Sequence, residues 1–298
     1  MPWLLPCLAW ALLAATAMSA DPEAPPQQVS FQSLQTLPAR APDSRHRYGE
    51  AASQYALYWR ARNRPAGDPA PVLTLIHGGC WLADYGVDYL FPLATALADA
   101  GYAVWAPEYR RVGEAGGGWP GTFTDISAAI ESLHRLAPAG VDLTRELRLG
   151  HSAGGHLALW SAARPHNAVA GAPAGPQVPP PVNVIGLAAI TDLAAYAGGD
   201  NSCQQVTPRL LGGTLAEQPG RYASVSPAQM QLLSPVLLLR GGQDSIVGTE
   251  QTLGPAAVRD LEGAGHFDWA HPGTPAVAAL LHALAGLLPP RQPPANAH

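Results

Sequence analysis

Gly150-His151-Ser152-Ala153-Gly154 sets a serine among small residues, directly after Leu147-Arg148-Leu149 and before an Ala/Leu-rich run. G-x-S-x-G in that setting predicts a sharp strand-to-helix turn that lifts the hydroxyl out of a sheet. A serine hydroxyl is a poor nucleophile until a base takes its proton, and the base needs an acid to hold its tautomer. Both follow in the chain. Asp244 leaves the apolar run Val236-Leu237-Leu238-Leu239 through Arg240-Gly241-Gly242-Gln243, and His266 leaves Val258 to Glu262 through Gly263-Ala264-Gly265. The reading is therefore Ser152 as nucleophile, Asp244 as acid and His266 as base, each just after a strand. Asp192 also follows a strand and is the rival acid. Asp260 falls inside a strand candidate, and Asp268 is too close to His266 to come from the preceding strand's loop. His151 and His156 read as local structure, and His271, at the start of the last helix, as a surface or capping residue.

An acyl-transfer serine also needs amides that hold the developing oxyanion. His77-Gly78-Gly79-Cys80-Trp81 follows the apolar run that ends at Ile76, and its paired glycines let the backbone turn its N–H groups toward such a charge. One donor is expected from Gly79 or Cys80 and the other from Ala153. His77 reads as a brace for this loop. Cys80 lacks a base partner comparable with that of Ser152, so it reads as packing or half of a disulfide. Trp81, Trp119 and Trp269 are candidates to wall an apolar or aromatic pocket. Such chemistry requires no metal or organic cofactor.

These residues need strands that end together. Strand candidates run over residues 54–60, 72–76, 102–106, 146–149, 183–190, 235–239 and 257–261. Helical spacing recurs at residues 88–100, where Leu90, Leu93, Ala94 and Leu97 share a face, and at 122–137, from Ser152 to about Arg164, and at 274–288. Strands alternating with helices predict an α/β fold, with a mostly parallel central sheet covered by helices on both faces. The catalytic domain is read as 46–288, with 191–234 as a small cap. Residues 21–45 read as a flexible lead-in, and 289–298 as a flexible tail.

The whole sequence has 298 residues, 47% of them apolar and 13% charged, which suits one large domain with a fair-sized core. A net charge of −5 without a basic run counts against a nucleic-acid partner. Residues 1–20 carry an uncharged Leu/Ala/Trp-rich run ending in small residues, which reads as a secretory signal peptide. The expected location is then periplasmic or secreted, with no transmembrane domain in the mature chain. Removal of that leader leaves Cys80 and Cys203, a count compatible with one disulfide. Composition is silent on whether they meet and on oligomeric state.

Together, His77 to Trp81, Glu108-Tyr109-Arg110, Gly150 to Trp160, Thr191-Asp192-Leu193 and Gly242-Gln243-Asp244 resemble the α/β-hydrolase superfamily. The similar group includes carboxylesterases, hormone-sensitive-lipase-like esterases, feruloyl-esterase-like (BD-FAE) proteins and kynurenine formamidases. The resemblance runs from about Tyr48 to Leu288. It implies an α/β-hydrolase fold, the triad Ser152, Asp244 and His266, and an oxyanion hole lined by Gly79, Cys80 and Ala153. Cys80 departs from the Tyr, Gly or Ala more usual there, and an export signal is unexpected for a cytosolic formamidase. Three expectations follow: a serine carboxylesterase on small or aryl esters, a formamidase-like amide hydrolase with the same triad, or a binding protein that kept the fold. The expected partner is a small-molecule ester or amide.

Overall fold

A computed structural model describes residues 26–65, 67–166 and 171–289; the expected leader and most of the expected tail lie outside them. The chain begins with α1 (Phe31–Gln35), then β1 (Ser44–Arg47), β2 (Tyr55–Trp59) and β3 (Ala70–Ile76). A 3-10 turn at Val87–Leu90 leads into α2 (Phe91–Asp99), β4 (Ala103–Pro107), α3 (Gly121–Leu136), β5 (Val141–His151) and α4 (Ala153–Ser161). Next come β6 (Ala163–Pro165), β7 (Asn183–Leu187), α5 (Leu193–Tyr196), α6 (Thr207–Leu211), α7 (Pro219–Val225) and β8 (Met230–Leu232). The chain ends through β9 (Val236–Gly241), β10 (Ala257–Leu261) and α8 (Pro275–Leu287).

Eight strands form one sheet in the order β1-β2-β4-β3-β5-β7-β9-β10. The β1–β2 and β2–β4 pairs are antiparallel, and every later pair is parallel. The sheet is buried because its strands are apolar on both faces, as parallel strands between helix layers must be. In β9, Leu237 and Leu239 join the core under α2 and α8, while Val236 and Leu238 join the core under α3 and α4. That alternation is the two-residue side-chain period of a strand. The two edge strands are the exceptions: β1 is polar and alternates half-buried with exposed residues, and β10 lies at the opposite edge. It is largely exposed, and Asp260 pairs there with Arg240 at 2.7 Å.

The helices form where apolar residues recur every three or four positions. Ile126 and Ile130 of α3, and Val277, Leu280 and Leu284 of α8, are fully buried. Thr274 caps α8 by accepting the Val277 N–H, and Pro275 at the first helical position already has the backbone angle a helix needs. Helix α4 stops at Ser161 rather than near Arg164, because Ala163–Pro165 pairs with Met230–Leu232 as a separate two-stranded ribbon. Inside β5, buried Arg148 bonds Glu146 at 2.9 Å and donates to the Ser161 carbonyl at 2.9 Å. A cation at the last carbonyls complements the negative end of α4 and ties the strand before the serine to the helix after it. His134 and Thr74 also reach the Glu146 carboxylate, at 2.8 and 3.0 Å. Burial alone would raise the Glu146 carboxyl; Arg148 and His134 outweigh it and hold the group at about 2.

Helix α1 and the first two residues of β1 lie in the stretch 21–45 expected to be a lead-in, and residues 26–45 are tied to the domain at several points. Leu34 is buried in the core, Trp59 donates to the Arg40 carbonyl at 3.0 Å, and the Arg40 N–H donates to Thr95 at 3.0 Å. The sequence lacks a periodic signal there because a five-residue helix and a four-residue edge strand are too short to show one. Among the described residues no helix is long and apolar enough to cross a membrane.

Candidate active site

Strands β3, β5 and β9 end at the same edge of the sheet, and the predicted residues lie on the loops that leave it. Ser152 sits between β5 and α4 with φ 58° and ψ −123°, a left-handed conformation that a non-glycine residue avoids. Its own N–H holds the turn by donating to the Leu187 carbonyl at 2.8 Å. Gly150 lets the turn close, since a Cβ there would stand 2.1 Å from the Gly154 carbonyl oxygen, and Gly154 lets α4 lie against β3, where a Cβ would stand 2.2 Å from the Ile76 carbonyl oxygen. The result sets Ser152 at the amino end of α4, whose N–H groups carry partial positive charge, with no bond from its hydroxyl to the helix amides.

Asp244 and His266 meet directly. The His266 Nδ1–H donates to Asp244 Oδ2 at 2.7 Å, both side chains being almost fully enclosed. The other Asp244 oxygen accepts the N–H groups of Ile246 and Val247 at 2.8 and 2.9 Å. Burial pushes the Asp244 carboxyl up, but the His266 bond and charge and those two amides prevail and lower it below its ordinary value. A carboxylate on Nδ1 leaves Nε2 free of a proton, the form a general base requires. The rival Asp192 is occupied elsewhere, capping α5 through bonds to the Ala194 and Ala195 amides at 2.9 and 3.3 Å.

His151, read from the sequence as local structure, joins three loops. Its Nε2 faces the His266 carbonyl at 2.9 Å, so Nε2 carries the proton and donates. Nδ1 is then an acceptor, and Tyr89 Oη donates to it at 2.9 Å. Tyr89 Oη in turn accepts the Gly78 N–H at 2.7 Å. Burial, and then the proximity of the His266 charge, push His151 down to about 3 and keep this ring neutral. Tyr89 was not singled out by sequence reasoning. Its position near the amino end of α2 carries no motif, and only the fold brings it under the glycine loop.

The His77 to Trp81 loop is braced from below. His77 Nε2 lies 2.8 Å from Glu108 Oε1, and the Tyr109 hydroxyl donates to the His77 carbonyl at 2.9 Å. Burial raises Glu108, yet His77, Arg111 and the Tyr109 N–H together hold it below the usual carboxylate value. With the Gly78 amide committed to Tyr89, the N–H groups of Gly79 and Cys80 have no acceptor among the described residues. Gly79 has φ 91° and Cys80 has φ 52°, so this part of the backbone is turned in a way that favours glycine. A disulfide joins Cys80 to Cys203 with their α-carbons 5.0 Å apart, and fastens this loop to the segment between α5 and α6.

A cavity of about 170 Å³ opens at this point, and Gly79, Cys80, Ser152 and His266 all line it. Its remaining walls are largely aromatic and apolar: Phe31, Tyr85, Tyr89, His151, Ile246 and Phe267, with Ser202 and Cys203 from the segment after α5. The tryptophans expected there are elsewhere. Trp81 turns inward from φ 57° and packs edge-on against His156, and Trp269 is buried in the core under α2 and α8. Trp119 packs on Phe123 with Arg221 over its ring. Large indoles were drawn into the hydrophobic core because that is where the most apolar area leaves water. Ile246 and Phe267 follow Asp244 and His266 so closely that their places could have been read from the motif. Phe31 gave no such signal.

The BD-FAE family model matches residues 61–254, from before the glycine loop to beyond Asp244. The chain belongs to the BD-FAE family. A curated relative, Esterase LipC of Mycobacterium tuberculosis (strain ATCC 25618 / H37Rv), is 24% identical over 248 residues. That match covers 74% of this BD-FAE chain and 59% of the relative, so the chain spans less than two thirds of the relative's length. Among solved structures, a truncated carbohydrate esterase from gut microbiota matches with a TM-score of 0.67 at 18% identity, over 83% of this chain and 97% of that one. Esterase B from Lactobacillus Rhamnosis (HN001) matches at 0.68 and 20% identity, over 86% and 89%. The butyrate-bound Est2 of Thermogutta terrifontis matches at 0.62 and 18%, over 84% and 96%. At these identities the likeness establishes the fold, which is that of the α/β-hydrolases.

Proposed function

We propose that this BD-FAE protein is a serine carboxylic-ester hydrolase for small or aryl esters, working through an acyl-enzyme. The observation that carries the reading is the His266–Asp244 bond of 2.7 Å beside a cavity that also holds Ser152 in its left-handed turn. In the first step the Ser152 oxygen attacks the ester carbonyl while His266 Nε2 takes its proton. Asp244 keeps Nδ1–H in place and stabilises the imidazolium that forms. The tetrahedral oxyanion is held by the amide of Ala153 together with that of Gly79 or Cys80. Each such donor contributes on the order of a hundredfold to a thousandfold in rate. His266 then gives its proton to the leaving alcohol, and water activated by the same nitrogen cleaves the acyl-enzyme.

The cavity bounds the substrate. Its volume of about 170 Å³ is close to that of an apolar cavity that takes up a benzene molecule, which suits a short acyl chain or one aromatic ring. The walls offer no cation to hold a phosphate or a free carboxylate. The names of the relatives, an esterase and a carbohydrate esterase, are in keeping with ester hydrolysis. A disulfide within the site supports folding in an oxidising compartment, as an exported chain would encounter.

The test is a hydrolysis panel of p-nitrophenyl acetate, butyrate and octanoate, methyl ferulate and N-formylkynurenine, run beside Ser152→Ala. The expected result is turnover of short or aryl esters that vanishes in the variant. Formamide turnover above every ester would replace the substrate class with an amide and keep the triad. Equal inertness of wild type and variant on every compound would remove the esterase reading.

A further inference from the structure

We propose that residues 26–35 form a strap across the site and that Phe31 is a specificity-determining residue, closing the cavity to long apolar groups. The inference rests on the esterase reading for its substrate and on geometry for its mechanism.

The strap is built into the loop that carries His266. The Asp268 carboxylate, fully buried two residues beyond that histidine, accepts three backbone N–H groups. They come from Gln28 at 2.7 Å, Val29 at 3.0 Å and Gly265 at 2.6 Å. A carboxylate that binds amides of both segments makes strap and base loop one unit, since freeing the strap would strip two of three donors from a buried carboxylate. Gly265 eases the contact: a Cβ there would crowd the Gln28 α-carbon at 3.2 Å. The glycines before His266 therefore serve a purpose beyond the turn itself. They give the strap room to lie down.

From this anchor, Ser30 caps α1 by accepting the Ser33 N–H, and Leu34 drops into the main core. Phe31 is left pointing at the cavity. Its ring meets Tyr85 edge-on at 5.3 Å, and Tyr89 and Phe267 at 5.5 and 5.6 Å. All four rings line the same space as Ser152 and His266. Phe31 is the only one of the four supplied by the strap, and it is half-buried while lining the pocket. No hydrogen bond of the site depends on it. Its role is to occupy volume, and changing its size should change which substrates fit while leaving the chemistry alone.

The experiment compares the full chain carrying Phe31, Phe31→Ala or Phe31→Trp. One series varies the acyl group (p-nitrophenyl acetate, butyrate and octanoate) and another the alcohol (ethyl and octyl acetate). A parallel arm measures calorimetrically the binding of the inert 4-nitrophenyl butyl and octyl ethers in the Ser152→Ala background. Phe31→Ala should raise the octyl-to-short ratio of kcat/KM by about tenfold or more in one series, the scale on which apolar pockets discriminate chain length. Phe31→Trp should lower butyrate turnover relative to acetate. Ratios unchanged in both series and both variants would overturn the inference and leave the esterase reading standing. If wild type hydrolyses no ester, the esterase reading fails and the ethers decide. A gain of octyl over butyl ether in Phe31→Ala upholds the strap as a pocket wall, and an unchanged order removes it.

Discussion

Opening the Cys80–Cys203 disulfide releases a loop of 123 residues. In the chain-entropy description, closing a loop of that length removes unfolded-state entropy worth about 5 kcal/mol at 25 °C. Unfolding entropy grows by about 2 cal/mol/K per residue, so 5 kcal/mol corresponds to roughly 8 °C in Tm for a chain of this size. The bridge also has a local role, because Cys80 and Cys203 line the same cavity and Cys80 offers one of its unpaired amides. The perturbation is Cys203→Ala, which keeps Cys80 in its left-handed turn, with dithiothreitol on the wild type as a second route. Scanning calorimetry should show Tm falling by roughly 5–8 °C in both. The kcat on a short ester should fall as well, because a loosened loop holds the oxyanion less well. Two results would refute this reasoning: Tm unmoved by both treatments, or a non-reduced peptide map without a Cys80–Cys203 linked species.

Further outcomes follow from the same geometry. Tyr89→Phe strips the partner from the Gly78 N–H and from His151 Nδ1. Each orphaned buried group costs about 1–3 kcal/mol, so urea titration should show a clear loss of stability and ester turnover should show a lower kcat. Asp244→Asn removes the carboxylate that sets the His266 tautomer, and stopped assays on a short ester should show kcat lower by about 10⁴. Glu146, held at about 2 and so depressed in the fold, contributes stability that is complete above its unfolded value near 4.5 and is lost as pH falls toward 2. Glu146→Gln should therefore flatten the fall of Tm between pH 4.5 and 2, measured by calorimetry. An equal slope in wild type and variant would count against that assignment.

What the sequence determined is what depends on local pattern. The run Leu147 to Gly154 specifies a strand, a tight turn and a helix by composition alone, because only small residues let β5 and α4 approach at the serine. Apolar runs at 72–76, 102–106 and 235–239 announced the buried strands, since strands covered on both faces need apolar residues at successive positions. Asp244 could be read from its place just after such a strand, and His266 from the glycine-rich turn that follows the exposed edge strand β10. The tertiary structure decided whatever depends on distant segments meeting. It placed Phe31 over the cavity through the buried carboxylate of Asp268, 240 positions away from Gln28 in the chain. It brought Cys203 to Cys80, linked Gly78 through Tyr89 to His151 and from there to the His266 carbonyl, and sent Trp81 and Trp269 into the core instead of the pocket. Periodicity reports which face of an element is apolar, because neighbours along the chain share that face. Which apolar faces and which polar atoms are brought together is set by how the layers stack, and that depends on the whole chain at once.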